Sequence, residues 1–111
     1  MDKIVNKIVG LGVPGLVLLV AMAISGWAGA AAITAALAML GGPFGMLGGI
    51  AVLGILSMIS QGIADYGFES LFEATVSGLQ AKGKTNAQIE KEINSYPISR
   101  ELKFKIKEYL K

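Results

Sequence analysis

The chain of 111 residues has no cysteine and no histidine. Without cysteine there is neither a disulfide framework nor a thiolate metal site. Without histidine it lacks the commonest general base, the commonest metal ligand and the usual switch near neutral pH. A third absence is more telling. Residues 8–64, 57 consecutive positions, contain no Asp, Glu, Lys or Arg. All ten basic and all eight acidic residues fall in residues 1–7 and 65–111. Soluble domains spread charge over about a quarter of their positions. A single core helix can do without it, but half of a small domain cannot, because a small domain has too much surface to cover. The composition therefore points first to a membrane protein of one domain. The net charge of +2 is too small to imply nucleic acid, and basic residues are not interleaved with aromatics.

What is present is helical spacing. Ile4, Val5, Ile8 and Val9 share one face of a helix over residues 2–11, with Asp2, Lys3, Asn6 and Lys7 on the other. "GLGVPG" breaks it, and Pro14 suits the first turn of the next helix. The opening basic and apolar stretch, with small residues at Ala28-Gly29-Ala30, has the outline of a signal peptide. The apolar run continues well beyond that point, so the stretch is read as mature sequence.

A first apolar segment, Leu16 to Leu40, would be about 37 Å long as a straight helix, more than a hydrocarbon core of about 30 Å. Tilt, or a kink at Ser25-Gly26, is expected. A second segment runs from Pro43 to about Ala64. Gly41-Gly42-Pro43 between them ends one helix and starts the next, so the pair reads as an antiparallel hairpin. Membrane helices associate through close packing, which requires small side chains. Gly26, Ala30 and Thr34 repeat at four in the first helix, and Gly41, Gly45 and Gly49, widened by Gly48, repeat at four in the second. These seven are the candidate packing positions, either zipping the hairpin to itself or joining it to a second copy. Ser57, Ser60 and Gln61 are candidates for a lumen or an interhelix contact; Gln61 in particular is not easily satisfied on its own helix. No charge lies within the span, which excludes a proton relay. Trp27 lies mid-segment rather than in an interfacial belt and reads as a packing residue.

After Ala64 the pattern turns amphipathic. Phe68, Leu71, Phe72, Val76 and Leu79 recur at helical spacing beside Asp65, Glu69 and Glu73, with a bend expected near Gly62 or Gly67. "AKGKT" is a loop. Thr85 with Gln88 forms a capping-box pattern, opening a helix to about Asn94. "SYPIS" ends that helix, and Ser99 caps a last one with a Leu102, Ile106, Tyr109, Leu110 stripe. The tail reads as a helical hairpin folded against residues 66–80. Lys103, Lys105 and Lys107 are candidates for contact with anionic lipid headgroups. Glu69 and Glu73 share a face but lack further acidic or histidine partners, so they read as a solvated face or as partners of tail lysines rather than as a metal or acid–base site. Neither glycine-rich loop has the lysine ending of a phosphate loop. The sequence predicts no enzyme, no metal and no cofactor.

The stretches "VPGLVLLVAMAISGWAGAAA" and "GGPFGMLGGIAVLGILS" resemble the interferon-inducible 6-16-like family of small membrane proteins over residues 14–67. Members are associated with membrane permeability and cell death. The resemblance implies a membrane-active, oligomer-forming protein; it carries over no functional residues, and the tail at 65–111 has no counterpart in it.

The expected architecture is thus all-α. It comprises an amphipathic helix in residues 1–12, a membrane-embedded glycine-rich hairpin in 13–64 with its turn at 41–43, and a cytosolic helical tail in 65–111. Charge favours both termini in the cytoplasm. The expected partners are membrane lipids, further copies of the chain and, for the tail, a cytosolic protein. Three functions compete: a membrane-perturbing or pore-like oligomer, a membrane anchor whose tail recruits a partner, and a soluble helical assembly protein with an unusually apolar core.

Overall fold

The computed structural model describes residues 1–24, 43–96, 98 and 100–110, with side chains described in all of these except 43–53. The regular secondary structure of the described residues is all helical, with no strand among them. Six helices follow one another: α1 (Asp2–Gly10), α2 (Val13–Ile24), α3 (Pro43–Tyr66), α4 (Phe68–Ala81), α5 (Asn86–Asn94) and α6 (Arg100–Leu110).

α1 is short and amphipathic as its spacing requires. Ile8 and Val9 are buried, Ile4 and Val5 are half-buried, and Asp2, Lys3, Asn6 and Lys7 are exposed. The chain then reverses through Gly12, at φ +76°, where L side chains are strained. α2 leaves at 120° to α1. Pro14 occupies its first turn, where a missing N–H costs nothing.

α2 is unlike its neighbours. Leu16, Val17, Leu18, Leu19, Val20 and Ala21 are six successive residues with 0% exposure. Six in a row cover every side of a helix, so α2 is buried all round. A helix apolar on all sides has only two hosts, a protein core or a bilayer. Here its residues join one core cluster with Ile8 and Val9 of α1, Leu56 and Ile59 of α3, and Leu71, Phe72 and Leu79 of α4.

Glycine lets these helices approach. A methyl group built on Gly15 of α2 would overlap the Ile8 carbonyl oxygen of α1. On Gly78 of α4 it would stand 2.6 Å from Val9 Cγ2, and on Gly62 of α3 3.0 Å from Leu71 Cδ1 and 3.2 Å from Ile4. Of the two expected bend points, the break falls at Gly67, with φ +85°. Gly62 stays helical and buried because its small side admits Leu71 and Ile4. Thr75, the buried polar residue of α4, is satisfied by donating to the Leu71 carbonyl at 2.7 Å.

The tail folds as its signals require. Thr85 Oγ1 accepts from the Gln88 amide, and Gln88 Oε1 accepts from the Thr85 amide, completing the capping box of α5. Ile89 and Ile93 are buried. α6 buries Leu102, Ile106 and Leu110, while Tyr109 stays 42% exposed and packs edge-on against Phe68 of α4 at 4.9 Å between ring centroids. Asn86 Nδ2 donates to the Leu110 carbonyl at 3.2 Å, tying the start of α5 to the end of α6.

Candidate functional site

The membrane reading requires a spanning helix. Among the described residues no single helix is long and apolar enough to cross a bilayer. The bent pair α1 and α2 meets the length and composition together. Gly26, Ala30, Thr34 and Gly41, together with Trp27, Ser25-Gly26 and residues 41–42 of the expected hairpin turn, lie outside the described residues, as does the Ser99 cap; Pro43 opens α3. Gly45, Gly48 and Gly49 lie on the helical backbone of α3. Among the glycines whose surroundings are described, close approaches occur at Gly15, Gly62 and Gly78. Gly78 has a sequence signal of its own: with Leu71, Thr75 and Leu79 it completes one buried helical stripe.

The polar candidates on α3 separate. Ser57 is exposed and Ser60 half-buried. Gln61 is exposed and donates through Nε2 to Asp65 Oδ1 at 3.0 Å. Gln61 thus finds its partner on its own helix, where such a contact was expected to be difficult, rather than across helices or in a lumen. The helix runs past Ala64, and Asp65 then stands one turn on along the same face.

The tail lysines are partly committed. Lys103 Nζ donates to the Asn94 carbonyl at 2.9 Å, which fastens α6 to the end of α5. Lys105 lies 3.9 Å from Glu108 of the same helix. Lys107 is half-buried. Phe104, which falls outside the expected stripe, is 63% exposed among them.

The strongest polar contact in the tail was not legible beforehand. Glu92 accepts from Lys84 Nζ at 2.9 Å on one oxygen and from Tyr96 Oη at 2.6 Å on the other. Burial alone would raise the Glu92 carboxyl; the hydrogen bonds from Tyr96 and Lys84 and the lysine charge outweigh it and hold the group below its usual 4.5. Burial first, and then the same hydrogen bond and the carboxylate charge, push the Tyr96 phenol up. Because the folded Glu92 value lies below the unfolded one, its contribution is full above pH 4.5 and is lost as pH falls through the folded value. Melting midpoints measured from pH 6 downward should therefore fall more steeply for the wild type than for Glu92→Gln, the two curves converging at low pH.

Open grooves on two sides of the described structure carry opposite charge. Lys3, Ile4, Asn6, Lys7 and Met58 line one of about 810 Å³ between α1 and α3. Between α4 and α6, Phe72, Glu73 and Tyr109 line two smaller ones of about 370 and 300 Å³, the latter also bordered by Phe68, Glu69 and Glu108. No group of three acidic residues among the described residues is placed to hold a metal ion.

Compared with family models, curated proteins and solved structures, the chain matches none. The functional reading therefore rests on the chain's own chemistry.

Proposed function

We propose that this protein is a small self-associating membrane protein whose apolar segment enters the bilayer and perturbs it as a pore-like oligomer, with both ends on the cytoplasmic side. The observation that carries the reading is the run of 57 residues without an ionisable side chain. A chain of this size has few ways to keep so long a run from water, and lipid is the host that accepts it without further protein. The all-round apolar character of α2 supports the same reading.

The full chain added to dye-loaded vesicles is expected to release the dye and to resist carbonate extraction. Gly45→Leu and Gly49→Leu are expected to abolish both assembly and release, since bulk at these positions keeps helix backbones apart. Wild-type chain that carbonate strips from the vesicles, or that releases nothing, would overturn the proposal.

The zero exposure of Leu16 to Ala21 favours a second reading. In it the chain hosts the segment in its own core and acts as a helical assembly protein. Self-association without vesicle binding is its signature.

A further inference from the structure

We propose that copies of this chain dock head to tail, the basic groove between α1 and α3 of one copy receiving the acidic rim between α4 and α6 of the next. The inference rests on the self-association proposed above and adds to its glycine-face contact a second, charged one.

Lys3 and Lys7 are one helical turn apart on α1, and both are exposed. Neither makes an ion pair or side-chain hydrogen bond among the described residues. Between them and α3 lie Ile4 and Met58, so the groove is cationic at its rim and apolar inside. Glu69 and Glu73 are likewise one turn apart on α4, exposed and unpaired among the described residues. They stand beside the rings of Phe72 and Tyr109.

The two faces match in spacing as well as in sign. Four residues of helix rise about 6 Å, so both charge pairs have the same separation along their axes. Two helices laid side by side can then close both ion pairs at once, while Ile4 and Met58 meet the exposed edge of Tyr109. Exposed pairs of this kind contribute little affinity but fix register and exclude wrong partners.

A small organic cation is a poorer occupant of the acidic groove. Ring centroids of Phe68, Phe72 and Tyr109 lie 4.9 to 5.6 Å apart, so the rings pack against one another and form a wall rather than a cage. An anionic bilayer would suit Lys3 and Lys7 but would repel Glu69 and Glu73; a second copy satisfies both. Because the two faces differ, the contact is heterologous and propagates into a ring or a filament.

The test is sedimentation of the full chain in mild non-ionic detergent at low ionic strength. The wild type is expected to assemble, and raised salt to weaken that assembly. Lys3→Glu/Lys7→Glu gives a chain acidic on both faces, and Glu69→Lys/Glu73→Lys one basic on both. Each alone is expected to assemble at least about a hundredfold more weakly, because every contact becomes a like-charge pair. Mixed in equal amounts they are expected to regain assembly, since each then offers what the other lacks. Wild-type chain that stays monomeric, reversals that sediment as the wild type does, or a mixture that stays dissociated would overturn the proposal. Loss of vesicle binding by the lysine reversal with no rescue on mixing would assign that groove to lipid instead. Should a reversal lose helicity by circular dichroism, Lys3→Gln/Lys7→Gln serves in its place, with weaker and salt-insensitive assembly expected. Dye release is read separately: assembly rescued by mixing without any release would sustain this contact and overturn the membrane function.

Discussion

A disulfide between residues 9 and 78 is expected to suppress dye release at least tenfold, and reductant to restore it. A Cβ placed on Gly78 would lie 3.6 Å from Val9 Cβ, inside the window that a disulfide needs. The chain has no cysteine of its own, so Val9→Cys/Gly78→Cys forms a single defined bridge. It would pin α1 to α4. α2 follows α1 after only Leu11 and Gly12, so pinning α1 also holds the start of α2 within the core. If α2 must leave that core to meet lipid, the bridge prevents it. The bridge also closes a long loop, which should raise the stability of the folded chain by about 4 kcal/mol. Stability and release should therefore move in opposite directions, and both should revert on reduction. Release that is indifferent to the bridge would mean that α1 and α4 stay together in the active state.

The second large effect is expected at a glycine that reads, in the sequence, as a mere helix breaker. Gly15→Ala should destabilise the fold by about 3 kcal/mol, at the upper end of what overpacking costs. The added methyl group meets the backbone carbonyl of Ile8, which cannot rotate away as a side chain could. α1 must then lift off α2. In a domain of this size the loss corresponds to a fall of roughly 15 °C in Tm. Gly54→Ala is the matched control. Gly54 is exposed on α3 and a Cβ there meets nothing within 4 Å, so the substitution should stabilise by up to about 1 kcal/mol through helix propensity alone. Equal effects at the two positions would contradict the close crossing of α1 over α2.

These two glycines show which parts of the structure the sequence could disclose. Local signals were legible. The Thr85 and Gln88 pair, the helical spacing of α1 and the Leu102, Ile106 and Leu110 positions of the α6 stripe depend on neighbours within a turn or two. They are where that spacing places them, whereas Tyr109, expected in the same stripe, is exposed. Contacts that depend on how the chain turns between helices were not legible. Gly15 and Gly54 look alike in the sequence; only the path of α1 back over α2 makes one indispensable and leaves the other free. The same holds for Glu92, whose partner Lys84 lies across the cap of α5 and whose partner Tyr96 lies beyond its end. Gln61 was expected to find its partner across helices or in a lumen, whereas α3 runs on to Tyr66 and brings Asp65 of the same helix within reach. The charged grooves were hidden for a similar reason. Lys3, Lys7, Glu69 and Glu73 read correctly as solvated faces, but their matching spacing gains meaning only once Met58 and Tyr109 are seen beside them.

The central claim is that the uncharged run enters the bilayer. Trp27 is the single tryptophan of the chain and lies within that run. Its fluorescence, recorded with vesicles whose acyl chains carry bromine, tests the claim most directly. Strong quenching, absent with unbrominated lipid and absent from the oxidised Val9→Cys/Gly78→Cys chain, is the predicted result. Emission unchanged by brominated chains, with the protein demonstrably folded and vesicles in excess, would contradict it.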